Sequence, residues 1–170
     1  LLNGTGNHLS DLLPSVPDGS AFARFNNATQ TWSLTSTYKS SSGGWDYPNE
    51  SLLPGEGAYL YLLGNAALNV TIVGTQVSSI VPVNIPPNEL WFVSRQTEAA
   101  PSSYDDIIGL APTCCVNAYD WNSGFNPYTF DGQAWDPGSP SVALGYSMWI
   151  SGTNGSPICP PVVPTITIVT

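Results

Sequence analysis

Residues with the chemistry for catalysis or metal binding are scarce in this chain of 170 residues. The only histidine is His8, and the only cysteines are Cys114, Cys115 and Cys159. A serine hydrolase draws its histidine, serine and acid from separate elements, whereas His8 lies in a Gly- and Asn-rich stretch beside its nearest serine and aspartate. The cysteines lack the paired CxxC spacing of a zinc site. We therefore expect no catalytic residue of this kind and no bound metal.

The acidic residues offer a second kind of chemistry, because a glycosidase needs two carboxylates that face each other across a cleft. The candidate pairs are Glu50 with Glu56 and Asp131 with Asp136. Each of these acids is more simply a solvated loop residue, and the two halves of the chain do not share such a pair at matching positions. The sequence contains no recognisable phosphate loop or calcium loop either. We expect that the protein is not an enzyme and needs no cofactor.

The three cysteines fit a disulfide better than a metal site. Neighbouring Cα atoms lie about 3.8 Å apart, below the usual range for a bridge, so Cys114 and Cys115 pair with each other only under strain. We predict that one of them is bonded to Cys159 and that the other is left over. Three buried thiols are the alternative, because free cysteine is among the most buried residue types.

The charge of the chain excludes two classes of partner. Charged residues make up 9% of the sequence, and the formal net charge is -9. Such a chain repels nucleic-acid phosphates and anionic lipid headgroups. No apolar run reaches the roughly 20 residues that a membrane-spanning helix needs. We expect no nucleic-acid partner and no insertion into a membrane.

A surface with so little charge must be kept soluble by other means, and glycans would do this. Sequons of the form Asn-x-Ser/Thr begin at Asn3, Asn27, Asn49, Asn69 and Asn154. Chance is the alternative explanation, because Asn, Ser and Thr are abundant here. We predict that at least two sequons carry sugar, and that the protein is extracellular or lies at the cell surface.

The sequence repeats itself once, and this organises the chain into two modules. The shared features occur in the same order in both copies: residues 9–13 with 104–108, 22–26 with 118–122, 45–46 with 135–136, 55–60 with 145–150, and 69–73 with 165–169. We predict a first module over residues 1–76, a Pro-rich linker over residues 77–88 and a second module over residues 89–170.

Each module is predicted to be a small antiparallel β fold with one short helix, so the fold class is mostly β. The stripe of Leu9, Leu12 and Leu13, and its counterpart in residues 104–108, give the helix. Alternating apolar residues between turn signals give the strands. A strand at residues 89–93 precedes the second helix and has no counterpart before the first. The first module is therefore predicted to lack its opening strand and to expose a sheet edge.

Residues 54–59 of the first module read Pro-Gly-Glu-Gly-Ala-Tyr, between an aromatic hairpin and the Thr-Ile-Val-Gly of residues 71–74. In this turn and in the order of its elements, the chain resembles small β repeats of large secreted or cell-surface proteins of bacteria and archaea. The second copy keeps the first Gly and the aromatic residue but loses the Pro and the second Gly. The resemblance implies an exterior location and a tandem β architecture, and it implies no catalytic chemistry.

Two tryptophans in matching loops, Trp45 and Trp135, raise the possibility of sugar binding. Each precedes an aspartate, and sugar-binding modules combine exposed aromatic faces with such hydrogen-bonding groups. Core packing is the alternative, because the aromatic residues recur where the structure itself must recur.

Together these features predict a non-catalytic extracellular structural protein, a subunit or segment of a filament, sheath or surface layer. A carbohydrate-binding or adhesive module is the alternative. The expected partner is another copy of the chain, joined head to tail by strand complementation, and glycans are a second candidate partner. The contact is predicted around residues 1–7 and 58–63, with residues 165–170 or 90–95 nearby.

Overall fold

The computed structural model describes residues 6–64, 75, 80–96, 103–121, 125–143 and 145–152. Within these ranges the fold is mostly β, with two antiparallel sheets and two short α-helices, which confirms the predicted fold class. In chain order the elements are α1 (Leu9–Leu12), β1 (Ala21–Asn26), β2 (Thr31–Trp32), β3 (Ser36–Lys39), a 3-10 turn (Ser40–Ser42), β4 (Gly44–Trp45), β5 (Ala58–Tyr61), β6 (Leu90–Ser94), α2 (Tyr104–Ile108), β7 (Asn117–Trp121), β8 (Phe125–Phe130), β9 (Trp135–Asp136) and β10 (Ser147–Ser151).

The first sheet is built around β1. A hairpin joins β1 to β2 with Phe25 opposite Trp32, and the Asn26 side chain fixes the turn by accepting a hydrogen bond from the Thr29 amide. Asn and Asp stabilise turns in this way because their short side chains reach backbone groups nearby. β3 pairs with the start of β1 and then with β4, while β5 pairs with β1 along its whole length.

The second sheet has the strand order β6-β10-β7-β8-β9. The first sheet has the same order, β5-β1-(β2, β3)-β4, when β2 and β3 are counted together as the counterpart of β8. β10 is paired on both edges, with β6 and with β7. Its counterpart β5 pairs only with β1 among the described residues. In the described part of the chain, the first sheet thus lacks the strand that β6 supplies to the second.

The two helices have the local features that their sequences predict. In α2, both the amide and the hydroxyl of Ser103 donate to the Asp106 carboxylate, at 3.0 and 2.8 Å. This arrangement satisfies donors at the start of a helix, where no intrahelical partner is available. Ile107 and Ile108 are buried, as is Leu9 in α1, so each helix turns its apolar stripe towards its own module.

Each module encloses its own core. The buried residues of the first are Leu9, Leu13, Val16, Phe22, Tyr38 and Trp45. Those of the second are Val93, Tyr104, Ile107, Ile108, Val116, Ala118, Val142, Met148 and Ile150. Separate cores of this kind are what a tandem of two small modules requires.

The described part of the predicted linker, residues 80–88, packs along the second module. Val83 and Ile85 contact its core, and the Val83 amide donates to the Ile108 carbonyl. The buried Gln96 side chain accepts from the Val81 amide at 3.0 Å and donates to the Val81 carbonyl at 2.8 Å. This segment is therefore held by backbone hydrogen bonds and apolar contacts along the second module.

Candidate functional site at the junction of the two modules

Five aromatic rings meet where the two modules touch, and we call them the junction cluster. Phe25, Trp32 and Tyr59 come from the first module, and Phe92 and Trp149 come from the second. The Phe92 ring is stacked between Tyr59 and Trp149, with ring centroids 5.2 and 4.5 Å away. Phe25 and Trp32 contact Trp149 edge to face at 4.8 and 5.9 Å. Because such pairs stabilise by about 0.5–1.5 kcal/mol each beyond simple burial, the cluster fixes the two modules against each other.

Amide side chains of the first hairpin bind the backbone of β6. The Asn27 side chain accepts from the Phe92 amide at 2.8 Å and donates to the Phe92 carbonyl at 3.2 Å. The Gln30 side chain accepts from the Leu90 amide at 3.2 Å. Asn27 thus makes the two hydrogen bonds that a residue of a neighbouring strand would make.

The Pro-Gly-Glu-Gly turn also pairs with β6. Glu56 lies opposite Val93 in an antiparallel bridge, the Gly57 amide donates to the Phe92 carbonyl, and the Ser94 amide donates to the Gly55 carbonyl, both at 3.0 Å. A Cβ atom on Gly57 would lie 2.5 Å from the Phe92 ring and 2.9 Å from its carbonyl carbon. Only glycine permits so close a backbone approach. The second glycine of the turn is therefore explained by docking against the second module.

Two acids considered as a catalytic pair instead hold the same arginine. Arg24 binds Glu50 through Nε at 2.9 Å and Glu56 through Nη1 at 3.1 Å. The second oxygen of Glu56 accepts from the Leu53 amide. These contacts tie β1 to the turn that docks on β6, so the arrangement is that of a structural ion pair.

The other residues considered for catalysis lie in a turn, in a strand and just before α1. Asp131 accepts hydrogen bonds from the Ala134 and Gln133 amides, and these bonds hold the pKa of its carboxyl below the usual value. Asp136 belongs to β9, and the His8 ring lies 3.1 Å from the Asn49 carbonyl oxygen. Among the described residues, no group of three or more His, Cys, Asp or Glu side chains could hold a metal ion.

The two tryptophans considered for sugar binding are engaged in packing. Trp45 is only 6% exposed, packs against Phe22 and Tyr38, and donates from its ring nitrogen to the Leu13 carbonyl. Its burial corrects the sugar-stacking interpretation, because no ring face is open to a ligand. Trp135 is half-buried.

Trp135 packs against Tyr104 and Phe130, whose ring centroids lie 5.2 and 5.3 Å away. Within the junction cluster, the more exposed rings are Trp32 at 42% and Tyr59 at 48%, which lie 5.3 Å apart. Sequence reasoning missed this pair because its two members meet only when β5 pairs beside the first hairpin.

The predicted disulfide falls only partly within the described residues. The sulfur atoms of Cys114 and Cys115 lie 3.3 Å apart, and neither residue is a free cysteine. Cys159, the predicted partner of one of them, lies outside the described residues. That neither is free contradicts the prediction that one of these two cysteines is left over, and the pairing with Cys159 stays a prediction.

The sequons divide into three groups. Asn49 is exposed, whereas the Asn27 side chain is half-buried and used by Phe92. A sugar on the Asn27 nitrogen would displace the hydrogen bond to Phe92, so the folded junction is incompatible with glycosylation there. Asn3, Asn69 and Asn154 lie outside the described residues.

The outer edge of β5 is a second candidate site. No described strand pairs with this edge, and Leu60 and Tyr61 are 37% and 62% exposed. Leu63, just after the strand, is also exposed. The segments predicted to lie near this edge are residues 1–7, with residues 165–170 or 90–95. Residues 1–5 and 165–170 are outside the described residues, and residues 90–94 form β6, which in the same chain pairs with Glu56, just before β5.

Comparison of the chain with family models, with curated proteins and with solved structures finds no match in any of the three. The two helices of the described part are both far too short to cross a bilayer.

Proposed function

We propose that the protein is a non-catalytic structural protein of the cell exterior, a subunit or segment of a filament, sheath or surface layer. The observation that carries the proposal is the junction. Two small modules on one chain move freely unless their interface is large and apolar. Here they are joined by backbone pairing, by the Asn27 amide and by five packed rings. A fixed joint of this kind suits a protein whose shape is its function.

Composition supports the exterior location. Lysine and arginine together number 3 in the whole chain, against 12 acids, and the polar surface consists mainly of Ser, Thr and Asn. A surface of this kind is suited to glycosylation, and the exposed Asn49 offers an acceptor.

Immunogold electron microscopy of the source cells, with antibodies raised against the purified chain, tests the proposal. We expect label outside the cell, on extended or layered material that remains after washing. Label inside the cell, or label only in the freely soluble fraction, would contradict it.

A carbohydrate-binding or adhesive module is the second candidate function, and one observation favours it. Trp32 and Tyr59 present adjoining, half-exposed rings with an interplanar angle of 35°. Titration with soluble polysaccharides, followed by tryptophan fluorescence, tests this candidate. Binding at millimolar or lower concentration that is lost in Trp32→Ala and kept in Tyr61→Ala would favour it over the structural proposal. Absence of binding across the polysaccharides would favour the structural proposal.

A further inference from the structure

We propose that the outer edge of β5 binds residues 165–170 of a second copy of the chain as an added antiparallel strand. This inference rests on the proposed structural function and names the partner of the open edge. It commits to one occupant, the Thr-Ile-Thr-Ile-Val-Thr segment, and to one source, a neighbouring subunit.

The repeat itself defines what the β5 edge is built to accept. The matching strand β10 is sandwiched between β7 and β6, with residues 147–151 opposite residues 90–94 in antiparallel register. β5 has the β1 partner that matches β7 and, among the described residues, no partner that matches β6. The unused side of β5 therefore has the geometry of an edge that takes a strand in the other module.

Side chains at this edge suit an apolar, uncharged strand. Leu60, Tyr61 and Leu63 are exposed, and residues 58–63 contain no charged residue. With a net charge of -9, two copies repel each other at long range. That repulsion is weakest where an uncharged edge meets an uncharged segment.

Residues 165–170 have the composition of a strand. They are Thr, Ile and Val throughout, with no Gly, Pro or charge, and they follow the prolines at positions 160, 161 and 164. β-branched residues favour strands, and proline cannot donate a hydrogen bond to a sheet. The part of this region able to join a sheet therefore begins at Thr165.

The second sheet disfavours one other pairing of residues 165–170 and one other occupant of the β5 edge. Residues 165–170 cannot pair with β10 of their own module, because both edges of β10 are taken. By the repeat, residues 69–73 stand in the same relation to β5 as residues 165–169 do to β10. The closing segment of the first module is therefore not the expected partner of β5. A strand from a second copy makes a head-to-tail contact, which extends a fibre instead of closing a dimer.

Sedimentation velocity of the full chain over a concentration series provides the first test. We expect oligomers that grow with concentration, and we expect deletion of residues 165–170 to leave only monomers. Leu60→Lys, which places a charge at the edge, should raise the apparent dissociation constant by at least about tenfold. Leu34→Lys is the matched control, because Leu34 is 71% exposed and lies outside β5. Oligomers that survive the deletion, or monomers at every concentration, would overturn the proposal.

Photocrosslinking identifies the strand and its source. A photoreactive residue replaces Tyr61, and unlabelled chains are mixed with ¹⁵N-labelled chains before irradiation. The proposal expects crosslinks to residues 165–170 in mixed-isotope pairs. Crosslinks only within one isotope would place the strand in the same chain, and crosslinks to other segments would name another occupant; either result overturns the proposal. Neither result changes the cellular location measured by immunogold labelling, so failure of strand addition is distinguishable from failure of the proposed function.

Discussion

Phe92 is the residue on which the two modules converge. Its amide and carbonyl are both bound by Asn27, its carbonyl also accepts from Gly57, and its ring is stacked between Tyr59 and Trp149. A carbonyl oxygen has two lone pairs, so both donors can be satisfied at once. The junction therefore combines directional hydrogen bonds with aromatic packing at a single position.

Gly57 lies in the docking turn, the turn of residues 54–57 that pairs with β6, and it gives the first prediction. Gly57→Ala should lower the free energy of unfolding by about 1–3 kcal/mol, because the added methyl group would overlap the Phe92 ring and backbone. Urea denaturation measures the loss. Gly138→Ala is the control, since a Cβ atom there meets nothing within 4 Å. Equal stability of the two variants would show that the close approach at Gly57 is absent.

The Asn27 amide gives the second prediction. Asn27→Asp should destabilise the protein by about 1–3 kcal/mol, because a carboxylate cannot donate a hydrogen bond to the Phe92 carbonyl. The Phe92 carbonyl oxygen would then face a carboxylate oxygen. Asn49→Asp, on the exposed surface, should have little effect on denaturant unfolding.

In cells that glycosylate the protein, peptide mapping should find sugar on Asn49 and none on Asn27. Full glycosylation of Asn27 in the folded protein would contradict the junction.

The buried phenol of Tyr104 gives the third prediction. Burial, together with the charge of Asp105, raises its pKa from 10.0 to about 12. Between these values the unfolded chain has lost a proton that the folded protein retains, so stability falls as pH rises through this window and levels off above it. The contribution is fully present below pH 10 and amounts to about 2–3 kcal/mol.

Denaturant unfolding from pH 9 to 12 measures this loss. The wild type should lose stability more steeply than Tyr104→Phe, in which the titrating group is absent and the other tyrosines are unchanged. Parallel pH profiles would mean that the phenol is not desolvated in the folded protein.

At the scale of the elements, the start of α2 can be tested by itself. Asp106→Ala removes the acceptor of both Ser103 hydrogen bonds and should cost about 1 kcal/mol of stability. Asp105→Ala, an exposed acid of the same turn, should cost only a few tenths through the helix dipole. Thermal unfolding measures both. A loss at Asp105 as large as at Asp106 would contradict the capping role of Asp106.

Local patterns predicted several of the elements. The stripes at residues 9–13 and 104–108 became α1 and α2, and the strand predicted at residues 89–93 became β6. In each case the signal lies within a few residues of the element that it specifies. The repeat predicted two modules of the same kind, and the shared strand order of the two sheets agrees with it, because similar segments in the same order fold in the same way.

The junction could not be predicted in this way. Asn27 and Phe92 are 65 residues apart, and nothing in either neighbourhood indicates the other. The tryptophans show the same limit. Trp45 and Trp32 are the same residue type, yet Trp45 is buried against Phe22 and Tyr38 in the first core, whereas Trp32 in β2 is half-exposed. Burial of an aromatic ring is a property of the assembled sheet and not of its local sequence.

In the whole molecule, the two modules have one fixed arrangement. Contacts between them come from the first hairpin, from the docking turn and from two strands of the second sheet. Loss of any one contact leaves the others in place, so the joint should be stiff even though each contact is worth only a few kcal/mol.

Pulsed electron–electron double resonance tests the fixed arrangement of the two modules most directly. Spin labels at the exposed positions Ser41 and Ser139, one in each module, are introduced as non-natural amino acids because the chain has its own cysteines. We expect one narrow distance distribution that broadens in Gly57→Ala and stays narrow in Gly138→Ala. A broad distribution in the wild-type protein would show that the modules move independently, and it would contradict the fixed joint on which the proposed structural function rests.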